Sequence, residues 1–320
     1  MSAQVIDGDG VAAEIKEQIK KEIASLGKTL KLHAILAGDD FGAKFYAGGQ
    51  QKGCEEVGIQ YSLDQLPEDS SQADFAAHIK KLNNDPACTG VILLMPMPKG
   101  VDGRALHQMI DPSKDVEGMH PSNMGKLFYN DTTLAPCTPK GCVELIKRVG
   151  CKIEGANVTV IGHSEIVGKP IAMLMLGLNA TTTVVHIFTD NIAPHCKRAD
   201  ILISAAGAAG ARWNGYLRRK KQDPNTPPPD ITPLVKADTI KPGAVVIDVA
   251  INRVPKELDA KGEPTKSKKT GKDLMVTCGD VEYDKAIEVA SYITPVPGGV
   301  GPMTVAMLLQ NTLNAAKAAR

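Results

Sequence analysis

Residues 157–170 read NVTVIGHSEIVGKP, and the reading of this stretch decides the fold. A run of apolar and β-branched residues ends at Gly162, a second glycine follows at Gly168, and Pro170 leads into an apolar helical pattern. Strand, glycine turn and helix start are the parts of a βα unit, whose helix N-terminus offers free backbone N–H groups and a positive dipole end to a phosphate. The spacing departs from G-x-G-x-x-G, so alone it fits an ordinary tight turn about as well as a dinucleotide site.

Similar runs lie on either side. LHAILAG (32–38), GVILLMP (90–96), TTVVHIF (182–188), DILISAAG (200–207) and GAVVIDV (243–249) alternate with helical patterns, which argues for parallel sheets covered by helices, the α/β class. The change of character near residue 150 divides the chain into a first domain, 1–148 plus a C-terminal segment 296–320, and a second, 149–295. At 320 residues two domains are expected, and 43% hydrophobic content supplies both cores. The stretch 212–238, with five prolines and the basic cluster Arg218, Arg219, Lys220 and Lys221, reads as a long surface loop. A solvated insertion explains it, and a docking role for the basic cluster is the alternative.

Charge and cysteine content narrow the partners. Thirty-seven Lys and Arg against 36 Asp and Glu leave a net charge of +1, so no basic field recommends nucleic acid. Seven scattered cysteines without a C-x-x-C pair read as reduced core thiols, not as disulfides or a metal site. The N-terminus runs directly into an amphipathic pattern with Ile15, Ile19 and Ile23 four apart, and no apolar run approaches the ~20 residues a bilayer needs. A cytoplasmic chain with no membrane contact is the simplest expectation.

Four stretches can carry chemistry. Beyond the 157–170 unit, ITPVPGG (293–299) and the residues after it set two prolines and three glycines before an amphipathic helix; a plain loop explains such a bend, and close approach of a ligand to backbone is the alternative. In PSKDVEGMHP (112–121), Asp115 and Glu117 stand two apart; carboxylates in such turns cap or solvate, or accept paired hydrogen bonds from an amino-amidine edge such as a pterin's. In PCTPKG (136–141), Thr138 and Pro139 suit the N-cap and first position of a helix. In KFYAGGQQKG (44–53), Tyr46 and Gln50 share one face of a helix weakened by Gly48, Gly49 and Gly53.

KDVEG, PCTPKG, GHSEIVGKP and PVPGGVGPMT, in this order, resemble the methylenetetrahydrofolate dehydrogenase/cyclohydrolase family from Ile6 to Lys317, apart from the 212–238 loop. The resemblance implies an N-terminal α/β folate-binding domain, a Rossmann-type cofactor domain, a last helix that returns to the first domain, and homodimers. It implies hydride transfer from the methylene carbon bridging N5 and N10 of tetrahydrofolate to NAD or NADP, and then hydrolysis of the methenyl product to 10-formyltetrahydrofolate. The first step asks mainly for two rings held in line; the second needs a titratable group.

In the family that group is a lysine four residues after the tyrosine, where this chain has Gln50; an amide has no usable pKa near neutrality. Its glutamine partner is replaced by Leu94, and the usual aspartate by Glu117. The expectation is therefore a dehydrogenase with weak or absent cyclohydrolase activity. The alternatives are the usual bifunctional enzyme and an inactive folate- or nucleotide-binding regulator. The catalytic positions implied are Tyr46, Gln50 and Glu117, and the substrate positions are Tyr46, Leu94, Asp115, Glu117, Pro297, Gly298 and Gly299. The cofactor positions are Cys137, Thr138, Gly162, His163, Ser164, Ile166, Val167, Ile251, Gly301 and Thr304. His163 stands where NADP-using members have arginine and Ile187 where they have serine, which tilts the expectation towards NAD, since imidazole is a weak substitute for a guanidinium.

Overall fold

The computed structural model describes residues 2–259, 262–267 and 270–319. The chain forms two compact units: Asp9–Gly141 with Pro302–Arg320, and Met1–Gly8 with Cys142–Gly301. The first division therefore falls inside the helix Cys137–Arg148 instead of at its end, and the second just inside the final helix, Val300–Ala318. The opening residues also belong to the second of these units and not to the first domain: Gln4–Val5 pairs in parallel with Tyr292–Ile293.

The first unit is built on a three-stranded parallel sheet with Lys31–Ala37 between Gln60–Leu66 and Gly90–Leu93. Its central strand is buried over six of seven residues, and so the run is apolar without alternation. The helix Gln72–Asn84 starts at a capping box, in which Ser71 accepts from the Asp74 N–H and Asp74 accepts from the Ser71 N–H. It turns Phe75, Ile79 and Leu82 inward against Ile35, Leu93, Leu106 and Ile110, each such side chain contributing about 2 kcal/mol by burial. On the helix Gly8–Leu26, the expected stripe Ile15, Ile19 and Ile23 is buried. From Pro302 on, the final helix packs in this unit, as the fold expectation requires.

The second unit holds six parallel strands in the order Gln4–Val5, Tyr292–Ile293, Val245–Asp248, Ile201–Ser204, Asn157–Ile161, Thr181–Val185. From Asn157–Ile161 the chain first adds Thr181–Val185 on one side and then Ile201–Ser204 on the other. That reversal is the topological switch point of a doubly wound sheet, where ligands settle beyond the strand C-termini.

The stretch 212–238 is not all loop. Ala208–Lys220 is a helix that buries Ala209, Trp213 and Tyr216 against Val254 of a hairpin, Asn252–Pro255 with Met275–Cys278. The prolines begin only after that helix, so the proline-rich composition describes its second half. Lys220 is not part of a free basic cluster: it pairs with Glu263 and with the Tyr216 hydroxyl. Among the described residues no helix is long and apolar enough to cross a membrane.

Candidate functional site

In the first unit, the helix Phe41–Val57 carries Tyr46 and Gln50 on its inward side. Gly53 has a packing reason there: a Cβ would lie 3.0 Å from Val305 Cγ1 of the final helix, so a larger residue would push that side chain aside by a few tenths of an ångström. Gly48 and Gly49 face open space, and nothing in the structure explains them. Gln50 is fully buried; Tyr61 donates to its Oε1 at 3.0 Å, while its Nε2 has no partner among the described residues. Tyr46 lies one turn before Gln50 on the same helix, and burial, helped by Cys137 and Glu117, pushes its phenol well above the ordinary range. It stays a neutral donor. Leu94, 2% exposed, brings no polar atom to the site beyond its backbone.

The turn after Asp111 presents two carboxylates in opposite conditions. Asp115 accepts from the Gly118, Met119 and His120 N–H groups and from Asn123 Nδ2 at 2.8–3.1 Å. It pins its own turn, which leaves little capacity for a ligand. Gly118, at φ +80°, lets that turn lie against the backbone of 134–136, where a Cβ would sit 2.6 Å from Leu134 O. Glu117 is half-buried, but its Oε2 is sealed from solvent and has no partner among the described residues. Burial and then the charge of Asp115 push its carboxyl up to about 8.

Cys137 and Thr138 open the helix Cys137–Arg148, so Thr138 lies within its first turn and not at the cap; its hydroxyl pairs with Thr304 Oγ1 at 3.0 Å. The Cys137 thiol donates to Val116 O at 3.3 Å, and burial, reinforced by Glu117, pushes it far above the ordinary value, so it is no nucleophile. Behind them stands a residue sequence reading missed. Asn311, fully buried on the final helix, donates to Val116 O and Ala135 O at 2.9 Å each and accepts from Lys140 Nζ at 2.9 Å. Nothing local in the sequence marks it, because those partners are distant in the chain.

In the second unit, Gly162 at φ +112° ends its strand against Ala205 O, 2.6 Å from where a Cβ would be. Gly168 closes the turn: a Cβ would lie 2.1 Å from Gly162 O. Ser164 Oγ accepts from the Val167 and Gly168 N–H groups at 3.2 and 3.4 Å and so ties down the turn that leads into the helix Gly168–Gly177. A turn bounded by Gly162 and Gly168, the N-terminus of a ten-residue helix and the exposed apolar side chains of Ile166, Ile187 and Ile251 fit a dinucleotide. His163 is exposed, its ring 4.6 Å from that of His186, which in turn meets Phe188. Neither position 163 nor 187 offers a guanidinium or ammonium.

The glycine bend belongs to this unit as well. Gly8 N–H donates to Gly298 O, and a Cβ on Gly8 would fall 1.7 Å from Gly299 O. Gly299 itself fits only because its missing Cβ would strike Pro295 O at 2.6 Å. Pro297, Gly298 and Gly299 thus lie together here, Gly301 faces open space in the first turn of the final helix, and Ile251 follows the strand Val245–Asp248. A second feature missed from sequence is the pair Asp248 and Asp280. Asp280 accepts from Ser204 Oγ and the Ala206, Gly207 and Ala208 N–H groups, fixing the loop at the switch point. Asp248 accepts from the Asp280 and Val281 N–H groups, and burial raises its carboxyl to about 7.

Comparison with known proteins yields one family. Residues 6–117 match the model of the tetrahydrofolate dehydrogenase/cyclohydrolase catalytic domain, and residues 136–218 and 231–320 match its NAD(P)-binding domain. The chain is 42% identical to "Bifunctional protein FolD" of Desulfatibacillum aliphaticivorans, over 99% of this chain and 98% of that one. Among solved structures it resembles the bifunctional FolD methylenetetrahydrofolate dehydrogenase/cyclohydrolase of Campylobacter jejuni, with a TM-score of 0.82, 34% identity and 99% of both chains covered. It also resembles the Trypanosoma brucei enzyme complexed with NADP cofactor and inhibitor, with a TM-score of 0.83, 33% identity, and 99% and 98% covered.

Proposed function

This chain belongs to the tetrahydrofolate dehydrogenase/cyclohydrolase family, and from that premise we propose that it catalyses two reactions. It oxidises 5,10-methylenetetrahydrofolate with NAD or NADP to the methenyl cation, and it hydrolyses that cation to 10-formyltetrahydrofolate. Full-length similarity to a relative named bifunctional is the observation that carries the second reaction. This revises the expectation of weak or absent hydrolysis drawn from Gln50.

The chain's residues divide the work. When bound, the nicotinamide supplies the hydride acceptor. Gly162, Gly168 and the N-terminus of the helix Gly168–Gly177 hold the pyrophosphate, and Ile166, Val167, Ile187 and Ile251 cover the rings. Glu117 receives the amino-amidine edge of the pterin and Tyr46 orients the aminobenzoate, while Asn311 and Thr304 hold Cys137 and Thr138 at the start of their helix. Orientation is the main demand of the hydride step, and no proton passes to the protein in it.

A second reading, hydride transfer alone, is supported by a specific observation: position 50 is a sealed neutral amide and position 94 is apolar. With no arginine at position 163, NAD is the preferred acceptor in either reading, and the resemblance implies a homodimer. One purified preparation tests these readings. It is assayed with methylenetetrahydrofolate against NAD and NADP, and with methenyltetrahydrofolate for hydrolysis. Hydrolysis no faster than in buffer removes the two-reaction reading, and no hydride transfer with either cofactor removes both. Sedimentation of the same sample reads the dimer.

A further inference from the structure

One buried carboxyl in the second unit collects five donors. Asp280, with no exposed surface, accepts through Oδ2 from Ser204 Oγ at 3.0 Å and from the Ala206 and Gly207 N–H groups at 2.9 and 3.0 Å. Through Oδ1 it accepts from the Ala208 N–H at 3.0 Å and from Asn252 Nδ2 at 3.1 Å. A carboxylate has about four lone-pair sites and no hydrogen of its own, so its capacity is filled from within the protein. Its use therefore lies in what it holds.

It holds the loop 205–207 and the start of the helix Ala208–Lys220. Three successive N–H groups turned onto one carboxylate fix the backbone there, and a negative charge suits a helix N-terminus. Gly207, at φ +61°, supplies the left-handed conformation that brings those groups round. Asn252, also fully buried, braces the following turn: its Oδ1 accepts from the Gly210 N–H at 2.8 Å, and its Nδ2 donates to Gly279 O at 2.9 Å as well as to Asp280.

The loop in turn meets the glycine turn after Asn157–Ile161. Ala205 N–H donates to Ile161 O at 2.8 Å, and Ala205 O lies 2.6 Å from where a Cβ on Gly162 would be. The strands Asn157–Ile161 and Ile201–Ser204 flank the topological switch point, so the turn after the first and the loop after the second are the two walls of the crevice in which such sheets take a ligand. A loop that moved would press on Gly162 or change the width of that crevice.

We infer that Asp280 is a positioning residue for the dinucleotide, setting cofactor affinity through the backbone by holding 205–208 against the Gly162 turn. This rests on the reading above that places the dinucleotide at that turn. Ser204 and Asn252 act with it as partners of the same carboxylate.

The test compares Asp280→Asn and Ser204→Ala with the parent chain by NAD titration and by KM for folate at saturating NAD. Asp280→Asn keeps the shape but sets an NH2 group against either the three donors at Oδ2 or the two at Oδ1. It is expected to bind NAD about tenfold or more weakly than the parent, with KM for folate within about twofold. Ser204→Ala removes one donor and no backbone contact, and should weaken NAD by about two- to fivefold. Emission of Trp213, the chain's only tryptophan, reports whether the helix that starts at this loop stays packed, because Trp213 is buried on it. Parent-like NAD affinity in both variants, or NAD affinity and folate KM changed by the same factor, overturns the inference and leaves the dinucleotide reading standing. If Asp280→Asn exposes Trp213, Ser204→Ala decides alone, and parent-like NAD affinity there overturns the inference. A parent chain that binds neither NAD nor NADP removes the dinucleotide reading itself, and this inference with it.

Discussion

The Tyr61 hydroxyl donates to Gln50 Oε1 at 3.0 Å, inside a site where Gln50 has no exposed surface. This contact holds the amide with its oxygen towards Tyr61 and leaves its NH2 group buried without a partner among the described residues, so position 50 presents a neutral donor. Gln50→Lys replaces it with a buried ammonium and removes the acceptor of Tyr61. Stability is expected to fall by about 1–3 kcal/mol. Hydrolysis is expected to rise, though only partly, because Leu94 supplies no polar partner for the new group. Thermal melting and the hydrolysis assay, run on the same sample, check both directions.

Glu117 also makes stability depend on pH. Its carboxyl sits at about 8 in the folded chain against an ordinary 4.5, a raised value caused first by burial and then by Asp115. Below about 4.5 both folded and unfolded chains hold the proton, and nothing is lost. Between about 4.5 and 8 the unfolded chain releases the proton while the folded chain keeps it, so stability falls as pH rises and levels off above 8. Asp248, raised to about 7 by burial, adds a loss of the same sign and is common to any variant at position 117. Urea midpoints from pH 5 to 8 should therefore drop more steeply in the parent than in Glu117→Gln; parallel curves would refute the assignment.

The pair His163 and His186 offers a test of cofactor preference. Their rings lie 4.6 Å apart at the exposed lip of the second unit. His163→Arg keeps a planar group that can stack on His186 and adds a fork that pairs with phosphate in two hydrogen bonds. A charge-assisted contact of about 1.5–3 kcal/mol predicts an increase of about 10- to 100-fold in the NADP-to-NAD ratio of kcat/KM. Initial rates with each cofactor measure the ratio directly, and an unchanged ratio would place the 2′ position away from residue 163.

How much of this was legible in the sequence follows from what each element buries. Strands covered on both faces, such as Ile201–Ser204 and Val245–Asp248, are wholly buried and read as plain apolar runs. Gln60–Leu66 lies at a sheet edge and is nowhere wholly buried, and its polar Asp64 is tied to His33, Ser62 and His78. No apolar run announces it. The helix Ala208–Lys220 contains two glycines and depends on Trp213 and Tyr216 meeting a hairpin formed about 40 residues later, a tertiary effect that overrides weak propensity. At the site, the Tyr46–Gln50 face was readable from i,i+4 spacing. The difference between Asp115 and Glu117 was not, since it depends on where four donors happen to point.

Asn311 tests whether the final helix positions the site or only covers it. Its NH2 group holds Val116 O and Ala135 O, on either side of the Glu117 turn and the Cys137 helix start, and its oxygen holds Lys140. Asn311→Leu fills similar space but leaves two buried carbonyls and the Lys140 ammonium without these partners, and is expected to cost about 2–4 kcal/mol. Asn311→Asp retains an acceptor for Lys140 yet aims carboxylate oxygen at two carbonyl oxygens, so it should cost at least as much despite its closer shape. Because the released turn carries Glu117 and the helix start carries Cys137 and Thr138, KM for folate should rise in both variants. NAD binding, whose glycine turn lies in the other unit, should stay near the parent value. Denaturant midpoints, folate KM and NAD titration separate these effects. A variant that loses stability with folate KM unchanged would reduce Asn311 to a packing residue.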